Sequence, residues 1–137
     1  MSGIQIENGL KEYDITTQNG EFVGVFKFNP SDADLPRRYN ETLKAFQAMK
    51  LSCSGKNVDL DEFVEIQKQA VEQLCYFVGN DSVKVFFEVM GAFSMQNGQF
   101  YYEKVLDIIA GLITSESNTQ SSKLKNKIKK YARKHNV

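Results

Sequence analysis

The segment from Asp59 to Gly79 constrains the fold of this chain most strongly, because it carries a complete helix signal. Asp59 can accept a hydrogen bond from the first unpaired backbone N–H groups, and Glu62 completes a capping-box pattern. Gly79 is suited to the left-handed conformation that ends a helix. Apolar residues between them recur at helical spacing: Leu60, Phe63, Ile66, Ala70, Val71, Leu74, Phe77 and Val78. The pattern predicts a helix over 59–78 whose broad apolar face must be covered by other elements.

Extended structure is predicted on the N-terminal side of this helix, over about 4–28. Residues 4–16 alternate weakly between apolar and polar side chains, and residues 22–28 are rich in Phe and Val, which favour strands. Between them, Gln18-Asn19-Gly20-Glu21 predicts a type I′ hairpin turn, because Asn-Gly tolerates positive φ angles. The alternation places the three phenylalanines of the second strand on one face, and we expect Phe26 and Phe28 to be buried against helices.

Three further helices are predicted, over about 32–51, 82–90 and 99–113. The first follows Asn29-Pro30 and has either Ser31 or Asp34 as its cap, and the second choice would put Pro36 at a helical position where its missing N–H costs nothing. Its apolar face consists of Leu35, Tyr39, Leu43, Phe46 and Met49, and Arg37 and Arg38 are expected at the surface. A break with a turn at Asn97-Gly98 separates the last two helices.

These elements predict one α+β, mainly α domain over residues 1–113. In it, a small N-terminal antiparallel hairpin packs on a bundle of about four helices. A chain of 137 residues with 42% hydrophobic residues and ten phenylalanines can bury such a core. Residues 114–122 are rich in Ser, Thr, Asn and Gln and are predicted to form a linker to a basic tail over 123–137.

The charge distribution singles out that tail. The formal net charge of the chain is zero, yet residues 121–137 hold seven Lys or Arg and no acidic residue, which leaves −7 on the remainder. The candidate binding residues are Lys123, Lys125, Lys127, Lys129, Lys130, Tyr131, Arg133 and Lys134. They could contact phosphate, an acidic partner or the acidic body of this chain, or could be solvated and keep the chain soluble. The single aromatic residue argues against a single-strand binder, and the helical spacing of the apolar residues in the tail favours a protein partner.

A second candidate surface is an aromatic and methionine cluster around Gly91. Its members are Phe86, Phe87, Met90, Phe93 and Met95. Most of this cluster should lie in the core. Any exposed part would suit partner binding, because methionine adapts to irregular surfaces. We take Phe87, Met90, Phe93 and Met95 as candidate partner-binding residues.

The residue chemistry predicts no catalytic, metal or cofactor site. Cys53 and Cys75 do not form a metal-like pair and are expected to be reduced, and His135 stands alone in the tail. Carboxylates near the helix starts, such as Asp32 and Asp61, favour the helix dipole. No glycine-rich phosphate loop occurs, so we expect a protein that is not an enzyme.

The sequence also indicates where in the cell the protein is expected. Residues 1–18 contain no continuous apolar stretch of the kind found in a signal peptide. No apolar run reaches the ~20 residues that span a bilayer. We therefore expect a cytoplasmic protein without a membrane partner.

Three sequence features resemble a family of small phage and prophage proteins of Gram-positive bacteria, the tail assembly chaperones. One is the phenylalanine-rich strand that runs into Phe28-Asn29-Pro30-Ser31-Asp32, followed by Arg37-Arg38-Tyr39-Asn40-Glu41 on a helix. Another is the acid-capped long helix followed by Phe77-Val78-Gly79-Asn80-Asp81-Ser82. The last is the basic segment Lys129-Lys130-Tyr131-Ala132-Arg133-Lys134.

This resemblance implies a function in virion assembly within the cytoplasm of a Gram-positive host. Such a protein keeps the long apolar tape-measure protein soluble, presents it to tail-tube subunits and is left out of the particle. The partners implied are the tape-measure and tail-tube proteins. The sequence leaves open whether the chain forms a homo-oligomer. Two alternatives remain: a small phage or mobile-element effector that binds a host protein or nucleic acid through its tail, or a structural virion component. We expect the binding determinants on helix faces and on the tail.

Overall fold

The computed structural model describes residues 2–53 and 58–116, which form a mainly α, α+β fold as predicted. The elements in chain order are β1 (Lys11–Thr16), β2 (Phe22–Phe28), α1 (Leu35–Cys53), α2 (Leu60–Val78), a 3-10 helix (Asp81–Glu88), β3 (Met95–Gln96), β4 (Gln99–Phe100) and α3 (101–116). No helix in these two described ranges is long and apolar enough to cross a membrane. The basic tail and residues 117–122 of the predicted linker lie outside the described residues.

The β1–β2 hairpin closes through a different turn from the one predicted. The N–H of Gly20 donates to the carbonyl of Thr17 at 2.9 Å, and the N–H of Thr17 donates to the carbonyl of Glu21 at 2.9 Å. Gly20 has φ +84°, whereas Asn97 is the one non-glycine residue with positive φ in the described ranges. Asn19 therefore does not adopt the type I′ geometry. The connection is a three-residue loop closed by a left-handed glycine, which introduces a bulge.

A separate bulge, at Val23, corrects the predicted face of Phe22. The strand register pairs Ile15 with Gly24 but Thr16 with Phe22, so Val23 is an extra residue on β2. Because an extra residue reverses the alternation of side chains, Phe22 is mostly exposed to solvent. The other two phenylalanines of β2 lie beyond the bulge and are fully buried, as predicted.

The first strand also begins later than predicted, at Lys11 and not at residue 4. Residues 2–10 have no regular secondary structure. The chain bends before β1, because Gly9 has φ +70° and the side-chain amide of Asn29 donates to the carbonyl of Asn8 at 3.2 Å. The preceding residues therefore leave the line of the strand.

Helix α1 runs antiparallel to α2, since Thr42 contacts Gln73 and Arg38 contacts Phe77. Of the two predicted starts, the structure has the later one. The helix begins at Leu35, and the carbonyl of Asp34 accepts the N–H of Arg38 at 3.2 Å. The predicted apolar face packs into the core: Leu35 and Phe46 are buried, and Tyr39, Leu43 and Met49 are partly buried.

Both predicted ends of α2 are confirmed. Oδ1 of Asp59 accepts the N–H of Glu62 at 2.8 Å. Gly79 has φ +92°, and its N–H donates to the carbonyl of Cys75 at 2.8 Å. Directly after this cap, the side chain of Asn80 caps the 3-10 helix (Asp81–Glu88), where the sequence predicted a short helix over 82–90.

A second hairpin, β3–β4, begins in the predicted break and takes up the first two residues of the helix predicted over 99–113. Asn97 has φ +53° and Gly98 has φ +77°, which are the signs of the type I′ turn that was predicted for the other Asn-Gly pair. The hairpin leads into α3, which reaches residue 116. Residues 114–116, predicted as linker, are thus helical, and Glu116 forms an ion pair of 2.6 Å with Lys11.

The core lies between β2, α1, α2, the 3-10 helix and α3. The ring of Phe26 lies 5.2 Å from the ring of Phe86, and the ring of Phe46 lies 4.6 Å from that of Tyr102. Such aromatic pairs add to the stability that burial gives. Thr42 is a fully buried polar residue of this core, and its hydroxyl accepts the amide of Gln73 at 3.1 Å.

Candidate functional site

The apolar stripe of α2 extends beyond the core that it helps to form. Its C-terminal half is buried at Ala70, Leu74, Phe77 and Val78. Its N-terminal half is not covered: the exposed fraction is 76% for Leu60, 56% for Val64 and 40% for Phe63. Residues three and four apart on a helix share a face. These three side chains therefore form one apolar face, continuous with the buried half.

This exposed face is held in place by the chain that follows the 3-10 helix. The ring of Phe63 lies 5.4 Å from the ring of Phe93 in an edge-to-face arrangement. Oε1 of Gln67, one turn further along α2, accepts the backbone N–H of Phe93 at 3.2 Å. Phe93 in turn packs on Phe100 and Tyr102, at 5.2 and 5.4 Å between ring centres. The face is thus supported from beneath by a packed aromatic layer.

Met95 extends this apolar region onto the second hairpin. It pairs with Phe100 across the β3–β4 ladder, and 59% of it is exposed. The contacts through Phe100 and Phe93 connect it with Phe63. We name Leu60, Phe63, Val64 and Met95 together the α2 surface.

The cluster predicted around Gly91 is thus only partly exposed. Phe86 is buried, and Phe87 is half-buried with its ring 5.5 Å from that of Tyr101. The hydroxyl of Tyr101 donates to the carbonyl of Phe86 at 2.5 Å, and burial raises the pKa of this tyrosine. Met90 is half-buried, with its sulfur accepting the amide of Gln96 at 3.6 Å.

Of the four candidate partner-binding residues in that cluster, Met95 is the one that is mostly exposed. Phe87, Met90 and Phe93 serve mainly in packing. The eight candidate residues of the basic tail, 123–134, lie outside the described residues.

Sequence reasoning missed the exposure of Leu60 and Val64. The apolar period predicts that Leu60 belongs to the covered stripe, and it does not include Val64. One signal could have found them, namely the exposed carboxylates interleaved with them: Asp59, Asp61, Glu62 and Glu65. A helix segment that alternates such groups with apolar residues lies at a surface, since charged side chains are almost never fully buried without a partner.

These carboxylates give the α2 surface a negative electrostatic environment. The N-terminal half of α2 holds one basic residue, Lys68, against them. The carboxylate of Asp59 also caps the helix. An apolar stripe lined by acidic groups is complementary to a helix whose apolar stripe is lined by Lys or Arg.

A polar network at the start of α1 locks this helix to α2. The guanidinium of Arg38 is mostly buried, with 14% of the side chain exposed, and donates to Asp32 at 2.9 Å and to Asp34 at 2.8 Å. Its Nε donates to the carbonyl of Phe77 at 3.0 Å. The expectation that Arg38 lies at the surface was therefore wrong, because α2 passes directly over it.

Arg37 lies on the outer side of the same network, with 58% of its side chain exposed. It contacts Asp34 at 2.7 Å and Glu41 at 2.8 Å. The hydroxyl of Tyr76 donates to Glu41, which adds a second link between α1 and α2. The surface position predicted for Arg37 is confirmed.

We predict that Asp34 contributes to the loss of stability in acid. Its hydrogen bonds with the Arg37 guanidinium, followed by those with Arg38, lower its pKa from 3.8 to about 2. A carboxylate with a lowered pKa stabilises the fold above its ordinary pKa and loses that contribution as the pH falls through the folded value. The variant Asp34→Asn should therefore show a shallower fall of the unfolding free energy between those two pH values. Parallel curves for both proteins in acid urea titrations would contradict this.

The described residues also include a cleft and a cysteine outside the α2 surface. An open cleft of about 620 Å³ between α1 and α2 is lined by Ala45, Ala48, Met49, Gln69, Glu72 and Gln73. Among the described residues, no cluster of His, Cys, Asp and Glu could hold a metal ion. Cys75 is a free thiol, and burial raises its pKa, which disfavours the reactive thiolate.

The α2 surface is therefore the feature that stands out in the described part of the chain: an apolar helix face, packed from beneath and lined by acid. Comparisons with models of protein families, with curated proteins and with solved structures found no match.

Proposed function

We propose that this chain is a chaperone-like protein that binds an apolar helical segment of a client on its α2 surface. The observation that carries the proposal is the uncovered half of the α2 stripe. An amphipathic helix commonly docks its apolar face in such a place. The resemblance to tail assembly chaperones names the client class as the tape-measure protein.

The geometry supports a binding role in two further respects. Phe63 of the α2 surface packs on the ring of Phe93, which in turn packs on Phe100 and Tyr102. A client would therefore meet an already packed face, and little conformational entropy would be lost on binding. Met95 at its border can adjust its side chain to clients of different shape. The acidic rim at Asp61, Glu62 and Glu65 favours a client helix with basic flanking residues and would speed its encounter at low salt.

The proposal is tested by co-expressing the full chain with a tape-measure fragment and measuring the fragment in the soluble fraction. The double variant Leu60→Lys/Val64→Lys should lower the soluble fraction at least about tenfold, because each change removes burial worth roughly 1.5–3 kcal/mol in the complex. Both side chains are mostly exposed, so the variant should keep the thermal transition of the parent.

The matched control is Phe22→Lys, which changes an exposed apolar residue on β2 and should leave the client soluble. A fragment that stays insoluble with the parent protein contradicts the proposed function. A fragment that the double variant solubilises as well as the parent does contradicts the assignment to the α2 surface.

A further inference from the structure

Residues 2–10, which we call the arm, carry two of the most exposed apolar side chains in the described ranges. The exposed fraction is 92% for Ile4 and 85% for Ile6. Residues two apart in an extended chain lie on the same side. If the arm forms a strand, both isoleucines therefore lie on one face of it.

The hairpin that follows the arm offers a place for such a strand. In the described part of the chain, β1 has β2 as its strand partner, and the two make a two-stranded sheet. An open strand edge presents backbone groups that can pair with another chain. Tyr13 and Ile15 point from β1 toward the core and remain only partly buried there. They are also two residues apart, the same spacing as the isoleucines of the arm.

The base of the arm is fixed on the side of the sheet away from this edge. Asn29 follows directly after β2, and its side-chain amide donates to the carbonyl of Asn8 at 3.2 Å. Gly9 lies so close to it that an added Cβ would stand 2.7 Å from Nδ2 of Asn29. To pair with its own β1, the arm would have to give up these contacts and cross to the opposite side of the hairpin.

We propose that the arm pairs as a strand with the outer edge of β1 in a second copy of this chain. Ile4 and Ile6 then lie beside Tyr13 and Ile15 of that copy. Each chain carries both an arm and an edge, so two copies can exchange arms reciprocally and close a two-fold dimer. The added strand also gives a third member to a sheet that two strands alone stabilise poorly.

This dimer is independent of the proposed client binding. The sheet contacts the C-terminal end of α2, where the ring of Phe28 lies 6.4 Å from that of Phe77. The α2 surface lies on the N-terminal half of the same helix. The residues proposed to pair in the dimer are therefore distinct from those of the α2 surface.

The test is sedimentation equilibrium of the full chain over a range of concentrations. The parent should form dimers, and Ile4→Lys/Ile6→Lys should raise the dissociation constant at least about a hundredfold, because two large apolar side chains lose their burial. The matched control Leu60→Lys/Val64→Lys removes exposed apolar residues elsewhere and should leave the constant unchanged. At concentrations where all three proteins are monomeric, their circular dichroism spectra and melting temperatures should agree, since the changed side chains are exposed.

Three results would overturn the proposal. One is a parent that is monomeric at every concentration its solubility allows. Another is a dimer that survives the arm substitutions. The third is a monomer whose amides at residues 4–6 are protected from hydrogen exchange, since that would place the arm on its own β1. Client solubilisation by the Ile4→Lys/Ile6→Lys variant reports on the α2 surface separately.

Discussion

Replacing Phe26 by alanine is expected to lower the free energy of unfolding by about 3–5 kcal/mol, as for other fully buried phenylalanines. The ring is inaccessible to solvent and contacts the rings of Tyr13, Phe28 and Phe86. Its loss would leave a cavity where β2 meets the 3-10 helix, and close packing limits how far the neighbours can fill it. Urea titration monitored by circular dichroism measures the change.

The same strand provides the control for this prediction. Phe22→Ala removes an identical side chain from the exposed position before the bulge, and the unfolding free energy should change by no more than about 0.5 kcal/mol. The two variants together test the register of the hairpin. If both lost similar stability, Phe22 would share the buried face, and the bulge at Val23 would be wrong.

Replacing Arg38 by alanine is expected to cost about 1–3 kcal/mol, because the backbone carbonyl of the buried Phe77 would lose a charged donor. Asp32 and Asp34 would each lose a charged hydrogen bond, and the carbonyl of Phe77 would lose the Nε donor. The contact with Phe77 joins α1 to the end of α2. The variant should therefore loosen the packing of the two helices, and chemical denaturation measures this.

Arg37→Ala is the matched comparison, since the two arginines are adjacent and share Asp34. The Arg37 side chain is mostly exposed, and ion pairs of this kind contribute little to stability because water screens them. A cost for Arg37 as large as that for Arg38 would show that charge, and not burial, determines the strength of this network. Raised salt should weaken the Arg37 contribution more than the Arg38 contribution.

The ends of α2 could be predicted because their signals are local. An acidic cap, an apolar period of 3.6 residues and a terminal glycine lie within one segment. The carboxylate of Asp59 caps the helix, and Gly79 ends it because a residue without a Cβ tolerates the positive φ of this position. The fold class followed in the same way, from the number of such helices and from the phenylalanine-rich strand.

The two Asn-Gly pairs show that a dipeptide alone does not determine the type of a hairpin turn. Each dipeptide tolerates a type I′ turn, yet only Asn97-Gly98 forms one. At Asn19-Gly20 the loop holds three residues, and the bulge at Val23 then restores the pairing of Ile15 with Gly24 that a two-residue loop would also give. Both loops align Phe26 and Phe28 in the same way, so the dipeptide alone does not decide between them. The register of a hairpin depends on what its face must bury as well as on its turn.

The candidate site was not predicted because the apolar period alone does not reveal it. Leu60 and Leu74 have identical side chains at helical spacing, and only the carboxylates around Leu60 distinguish the uncovered half of α2 from the covered one. The difference arises from where α1 and the residues around Phe93 pack. Arg38 is the reverse case, because α2 packs over this charged residue and buries it. Its ion pairs with Asp32 and Asp34 offset the cost of that burial.

The unbroken stripe of α2 also limits how the length of this helix can change. One residue added between Phe63 and Ala70 would rotate everything before it by roughly 100°, since a turn holds about 3.6 residues. Phe63 would then lose its contact with the ring of Phe93. Four or seven added residues would nearly restore the direction of the stripe, but they would move Phe63 along the helix axis by about 1.5 Å per residue. The contact between Phe63 and Phe93 therefore fixes the length of this part of α2 as well as its phase.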